Sequence, residues 1–260
     1  MTIPYGAHSI FKSDIKSINK ILRSPNLTQG PKVKIFETQI AKYSNSKYAI
    51  AVNSATSALH IACLALKLNE NDYLWTSAIS FVASANCALY CGAKIDFIDI
   101  NEDTYNICPQ KLETKLKIAK LKGKLPKIIV VVHIGGYSSP MKEINKLGKK
   151  YKFKIIEDAS HAIGSQYYKE KIGNCRYSEM AIFSFHPIKI ITTGEGGMIL
   201  TKNKKYFLKL ISLRNHGIVK NIGKYHHSKN INWFYKQENL GFNYRMNDIE
   251  AALGISQLKK

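Results

Sequence analysis

Residues 183–197 read FSFHPIKIITTGEGG, and two features that seldom meet stand side by side in them. Lys189 lies in an apolar, largely β-branched run, Pro187, Ile188, Ile190 and Ile191, and the glycine-dense Gly194-Glu195-Gly196-Gly197 follows directly. Lysine is rarely buried unless it is paired or chemically engaged. Enclosure in apolar surroundings disfavours the ammonium and leaves more free amine near neutral pH. Such an amine can form a Schiff base with an aldehyde.

The flanking residues say where this lysine sits. Residues 180–185 and 197–201 are apolar runs of strand type, so Lys189 falls in the connection between them. Further upstream, 48–52, 73–76, 94–98, 127–133 (KIIVVVH) and 153–157 also read as strands. Helical patterns at 57–66, 81–90 and 141–151 separate them, and the lysine-rich stretch 111–127 reads as a solvated helix and its linker. This alternation predicts an α/β domain whose sheet is covered by helices on both faces. The chain shows no internal repeat and no low-complexity linker, and 260 residues hold a substantial core.

Composition narrows the function. Hydrophobic content of 45% and charged content of 22% describe an ordinary globular chain. No run approaches the length of a membrane span, so no membrane association is expected. The start, MTIPYGAHSI, has neither a basic n-region nor an apolar h-region, which predicts a cytoplasmic protein. The five cysteines form no C-x-x-C pair; Cys87 and Cys91 share a helix face, but two ligands do not make a zinc site. They read as small buried thiols in a reducing compartment, and no metal is expected. The net charge of +21 invites a nucleic-acid partner. Only four of the 39 basic residues are arginine, however, and the lysines are scattered, which argues against one. A positive field still suits the capture of a small anionic substrate.

In an open α/β sheet, function gathers beyond the carboxyl ends of the strands. Four short stretches fall there: Asn53-Ser54-Ala55-Thr56-Ser57, 133–137, Asp158-Ala159-Ser160-His161, and 184–189. Taken singly, each has a plain reading: a helix cap at Ser54, a capping carboxylate at Asp158, a half-buried His161, a Lys189 that snorkels to water. Their convergence on one sheet edge favours a joint role. Free N–H groups and hydroxyls at a helix start bind phosphate, a carboxylate ending a strand can keep a pyridinium nitrogen protonated, and the amine can hold an aldehyde. Together they describe a site for pyridoxal 5′-phosphate. Neither G-x-x-x-x-G-K-[ST] nor G-x-G-x-x-G occurs, so nucleotide-binding alternatives have little support.

Eight stretches, running nearly end to end, carry a specific resemblance: IPYG (3–6), LTQGP (27–31), NSATSALH (53–60), SFVASAN (80–86), EDASHAIGS (157–165), FSFHPIKIITTGEGG (183–197), LRNHG (213–217) and LGFNYRMNDIEAALG (240–254). The sequence resembles the DegT/DnrJ/EryC1 sugar aminotransferases, fold type I pyridoxal-phosphate enzymes, and most resembles the branch that serves pseudaminic acid synthesis.

The resemblance implies that residues 1–260 are the cofactor-binding α/β large domain, built on a mixed, mostly parallel sheet with helices on both faces, with an N-terminal segment (1–30) and a chain that stops before the family's small C-terminal domain. It implies that Lys189 forms the Schiff base and shuttles the proton of the reaction, and that Asp158 pairs with the pyridinium nitrogen. Phe81 would stack on the cofactor ring and His161 would lie beside it. Ala55 and Thr56, through their N–H groups, and Ser184, through its hydroxyl, would hold the phosphate, with Asn243 reaching the phosphate of the neighbouring subunit in a homodimer. Tyr5, Thr28, Gln29, His186 and Arg214 would face the sugar nucleotide. The implied reaction moves an amino group from L-glutamate to the C4 ketone of a nucleotide-linked, UDP-type 4-keto-6-deoxy sugar, for a surface polysaccharide or flagellin glycan. A cofactor-binding remnant or regulatory protein without full turnover is the alternative. The family's sugar dehydratases carry histidine at the Schiff-base position, whereas Lys189 favours transamination. Tyr137 stands where the family usually has a small polar or glutamine-type residue, and Ala78 where proline is common, which directs attention to the substrate pocket.

Overall fold

The run Ile128–Val132 is buried along its whole length, and it lies near the middle of a seven-stranded sheet. The computed structural model describes residues 6–219 and 235–260. Among these, the large sheet is built from β1 (Tyr48–Val52), β2 (Tyr73–Ser77), β3 (Lys94–Ile98), β4 (Ile128–Val132), β5 (Lys154–Asp158), β6 (Met180–Ser184) and β7 (Gly197–Thr201). The order across it is β1-β7-β6-β5-β4-β2-β3. All strands run the same way except β7, which pairs antiparallel with both β1 and β6. The expected architecture, mixed but mostly parallel, is the one found.

Eight helices are described: α1 (Lys12–Leu22), α2 (Pro31–Tyr43), α3 (Ala55–Ala65), α4 (Ala83–Leu89), α5 (Pro109–Leu121), α6 (Met141–Tyr151), α7 (Lys204–Arg214) and α8 (Asp248–Gln257). Successive strand residues point to opposite faces of a sheet, and here both faces are covered. Ile50, Val52, Ile128 and Val130 pack with α3, α4 and α7. The alternate residues Ile129 and Val131 pack with α5 and α6, while Ala49 and Ala51 pack with Phe36 and Ile40 of α2 and Ala251 of α8. Each fully buried aliphatic or aromatic side chain in these layers contributes roughly 1.5–3 kcal/mol.

The lysine-rich stretch departs from the expectation of a solvated helix and linker. Helix α5 begins earlier, at Pro109, and buries Leu112, Leu116 and Ala119, four and three residues apart on one face. The many lysines around these positions hid that stripe. Four helices, α1, α2, α7 and α8, lie where the sequence patterns assign no element.

Candidate active site

The register of the sheet assembles the site. Val52 and Ser184 both pair with Gly197, which opens β7 at the edge where β1 and β6 end. Asp158, the last residue of β5, pairs with Ile182 of β6 on one side and Val132 of β4 on the other. The carboxyl ends of β1, β6, β5 and β4 therefore lie in a row, and they carry the stretches that the sequence singled out.

At β1 the chain turns through Asn53 into α3. Ser54 caps this helix, its hydroxyl accepting the Ser57 N–H at 3.1 Å. The N–H groups of Ala55 and Thr56 find no acceptor among the described residues, as expected of the exposed donors in a first helical turn. A Cβ on Gly197 would lie 2.5 Å from the Ser54 carbonyl carbon and oxygen and 2.6 Å from the Ala55 nitrogen. Only glycine admits this approach of β7 to the helix start. Ser184, buried at the end of β6, accepts a long hydrogen bond from the His186 N–H at 3.4 Å, which leaves its own proton to donate.

Asp158 is 5% exposed. Its Oδ2 accepts the Ser84 hydroxyl and its Oδ1 the Ser160 hydroxyl, both at 2.6 Å. Ser84 is itself reached by the Ser80 hydroxyl at 2.8 Å. Ser84 and Ser160 fall within the quoted stretches, but the sequence assigns neither a role. Ser160 had a local signal, two residues after an aspartate, whereas Ser84 comes from another helix and had none.

Lys189 is half-buried in the loop between β6 and β7, its N–H donating to the His186 carbonyl at 2.9 Å. Burial pushes its ammonium below the usual lysine range, and the charge of Asp158 partly restores it. Burial likewise lowers His161, helped by the charge of Lys189 and opposed by Asp158. The three side chains thus feel one another electrostatically. The loop is closed at its base by the Phe185 carbonyl, which accepts the Thr193 N–H and the Thr192 hydroxyl, each at 3.0 Å. From α8, Gln257 Oε1 accepts the Thr192 N–H at 3.4 Å.

The turn after β4 leans on His161. A Cβ on Gly136 would lie 2.7 Å from the His161 carbonyl oxygen, and Gly136 has φ +82°. Asn106 holds the turn, accepting the Ile134 N–H and donating to the Tyr137 carbonyl, both at 3.0 Å. The preceding His133 is fully buried between Glu157, 2.9 Å from Nε2, and the Ser139 N–H, 3.0 Å from Nδ1. Because an N–H must donate, Nδ1 accepts and the ring proton sits on Nε2, toward the carboxylate.

The remaining expected residues fall in several places. Phe81 is 70% exposed just before α4. Thr28 and Gln29 are exposed in the turn before α2, which buried Asp248 holds through the Gly30 N–H at 2.7 Å and the Lys32 N–H at 2.8 Å. Asp248 is another residue the sequence did not mark. His186 is partly buried at the start of the lysine loop. Asn243 is exposed, its backbone bridged to Asn215. Tyr5 lies outside the described residues.

Arg214 is not brought to this cluster as a free sugar-side group. Its Nη1 donates to Glu37 at 2.6 Å and to the Ala51 carbonyl at 2.7 Å, and Glu37 also accepts the Ala51 N–H at 3.0 Å. These bonds tie α7 and α2 to β1 inside the fold. A buried carboxylate needs a partner, and Glu37 was not visible as one from the sequence.

The groups present fit pyridoxal 5′-phosphate: an amine with a lowered pKa, a fixed carboxylate, and a glycine-opened helix start with two uncommitted N–H groups beside a serine hydroxyl. Among the described residues, no group of three or more His, Cys, Asp or Glu side chains is arranged to hold a metal ion. No helix among them is long and apolar enough to cross a membrane.

Sheet order and edge chemistry together define the large-domain architecture of the fold type I pyridoxal-phosphate transferases. The chain belongs to the DegT/DnrJ/EryC1/StrS aminotransferase family, whose pattern it matches over residues 8–260. It is 45% identical over 259 residues to the UDP-4-amino-4,6-dideoxy-N-acetyl-β-L-altrosamine transaminase of Campylobacter jejuni, covering 99% of this chain and 64% of that protein. To the spore coat polysaccharide biosynthesis protein SpsC of Bacillus subtilis it is 36% identical, again over 99% of this chain and 64% of the relative. Among solved structures it superposes on Helicobacter pylori PseC, an aminotransferase involved in pseudaminic acid biosynthesis, with a TM-score of 0.88 and 34% identity, covering 100% of this chain and 66% of that one. It thus spans somewhat under two thirds of the length of these curated relatives.

Proposed function

We propose that this chain carries the cofactor-binding part of an aminotransferase that uses pyridoxal phosphate to aminate C4 of a nucleotide-linked 4-keto-6-deoxy sugar. L-Glutamate is the donor, the nucleotide is UDP, and the product serves a pseudaminic acid-type surface glycan. The observation that carries the reading is the meeting of Lys189, His161 and Asp158 at one sheet edge, beside the phosphate-type helix start of α3. The likeness to the Campylobacter transaminase supports the sugar and the nucleotide.

The bound cofactor supplies an aldehyde that takes up the amino group and an electron-poor ring that stabilises charge at the reacting carbon. Lys189 contributes an amine that burial keeps available as nucleophile and base, so its Nζ accepts and returns the proton of each half-reaction. Asp158, held by two hydroxyls, presents a carboxylate of fixed orientation to a ring nitrogen. His161 favours its neutral form and adds no positive charge beside Lys189. Ala55, Thr56 and Ser184 hold a phosphate, and Phe81 offers a flat apolar face that excludes water. A second copy of the chain brings Asn243 to the phosphate, so the working unit is a homodimer. Thr28, Gln29, His186 and Tyr5 face the sugar nucleotide.

The purified chain with added pyridoxal phosphate is expected to develop a visible-edge absorbance band that borohydride fixes onto Lys189. It is then expected to aminate a UDP-linked 4-keto sugar with L-glutamate in a ping-pong pattern. Absence of the band overturns the reading. A band without amination supports the alternative, a cofactor-holding protein without turnover.

A further inference from the structure

Three of the five cysteines meet at the seam between α3 and α4, away from the sheet edge just described. His60 and Cys63 lie three residues apart on α3, and Cys87 and Cys91 lie four apart on α4 and the turn that ends it. Such spacings place each pair on one helix face. Cys63 and Cys87 are fully buried in a shared core cluster, and Cys91 packs against it while keeping partial access to solvent. Tyr90, before Cys91, is exposed, and Gly92 after it is half-buried, so this half-buried cysteine lies at the solvent side of the seam. His60 closes the other side: its Nδ1 is 3.1 Å from the Tyr244 hydroxyl, and its ring meets that of Tyr90 at 5.4 Å. Cys87 is occupied within its own helix, its thiol donating to the Ser84 carbonyl at 3.4 Å.

We propose that Cys91 is a modifiable thiol that forms a reversible disulfide with Cys63 when the chain meets a hydroperoxide. The electrostatics agree with the geometry. The Cys63 thiol and then His60 hold Cys91 down to about 6 against the effect of burial. Cys63 is pushed well above the usual thiol range by Cys87, then by Cys91 and burial. A half-buried thiol shifted toward its thiolate thus neighbours a fully buried thiol that favours its protonated form.

The chemistry balances. The Cys91 thiolate attacks the peroxide, the O–O bond breaks, sulfur is oxidised to sulfenic acid, and the departing alkoxide or hydroxide takes up a proton. Cys63 sulfur then attacks Cys91 sulfur, and the sulfenic hydroxyl leaves with the Cys63 proton as water. Two thiols and one hydroperoxide give one disulfide, one water, and an alcohol or second water. The bridge would join α3, whose first turn forms the phosphate cradle, to the end of α4, whose Ser84 braces Asp158.

At pH 6 about half of Cys91 is thiolate, against roughly 0.3% of an ordinary thiol of pKa ~8.5. The lower basicity gives back about ten-fold in intrinsic nucleophilicity, leaving a net advantage of about ten-fold. The test is iodoacetamide labelling of the full chain at pH 6, read by peptide mass spectrometry, with a cysteine in a short unstructured peptide as reference. Cys91 is expected to label about ten times faster than the reference, with Cys63 and Cys87 protected. Stoichiometric hydrogen peroxide is then expected to give a Cys63–Cys91 linked peptide that dithiothreitol reverses, and in Cys63→Ser a dimedone-trappable sulfenic acid at Cys91. Labelling no faster than the reference overturns the proposal, as does a Cys87–Cys91 bridge or a sulfinic acid at Cys91 with Cys63 still free. The labelling and peroxide arms use the unaltered chain, so they decide the matter even where the serine variant fails to fold.

Discussion

The Ser84 hydroxyl donates to Asp158 Oδ2 at 2.6 Å, joining residues 74 positions apart in the chain. One face of α4 thereby fixes the carboxylate at the end of β5, with Ser160 fixing its other oxygen. A hydrogen bond to a charged group is worth about 1.5–3 kcal/mol. Ser84→Ala is therefore expected to weaken pyridoxal phosphate binding by roughly ten-fold or more, measured by absorbance titration. Ser84→Thr is expected to retain most of it. Equal affinity in wild type and Ser84→Ala would remove the positioning role.

Gly197→Ala tests the proposed phosphate cradle. The added methyl overlaps Ser54 and the Ala55 nitrogen, and overpacking costs about 1–3 kcal/mol. The backbone of Ser54 and Ala55 is expected to shift, so affinity for pyridoxal phosphate falls more than affinity for unphosphorylated pyridoxal. An equal loss for both ligands would place the damage elsewhere.

The His161 pKa lies below 6.5 in the folded chain. The unfolded chain then binds more protons as pH falls through that window, so this histidine's contribution to stability rises with pH up to about 6.5 and is lost on acidification. His161→Gln is expected to shrink the difference in urea midpoint between pH 5.5 and pH 7.5, with little change at the upper pH. An unaltered difference between the two variants contradicts the assignment.

Arg214→Met leaves Glu37 buried without its cation, and breaking a buried pair costs about 3–5 kcal/mol. The melting temperature is expected to fall steeply, and Glu37→Gln combined with Arg214→Met to recover part of the loss. If Arg214→Met instead left stability unchanged and raised only the KM for the sugar nucleotide, Arg214 would belong to the substrate side after all.

Much of the sheet is legible because strands buried on both faces are written as continuous apolar runs: 48–52 and 197–201 match β1 and β7 end to end, and 94–98 matches β3 although that edge strand is largely exposed or half-buried. Helix α5 was harder, since its buried stripe of Leu112, Leu116 and Ala119 is spaced among lysines. At the site, Lys189, Asp158 and the α3 start announced themselves through residue type and local spacing. Ser84, Asp248 and the Glu37–Arg214 pair did not, because their partners come from distant parts of the chain. Local pattern marks the candidate groups; only the tertiary fold reveals which groups hold them still.

The reversed strand β7 also dictates an order of events during synthesis. Until Thr201 has emerged from the ribosome, β1 has no neighbour in the sheet among the described residues, because Tyr48 waits for Thr201 and Val52 for Gly197. Closing so long a segment is slow. The nascent amino-terminal third must stay unaggregated with a bare strand edge, and the close approach of Gly197 to the start of α3 cannot exist before that late arrival.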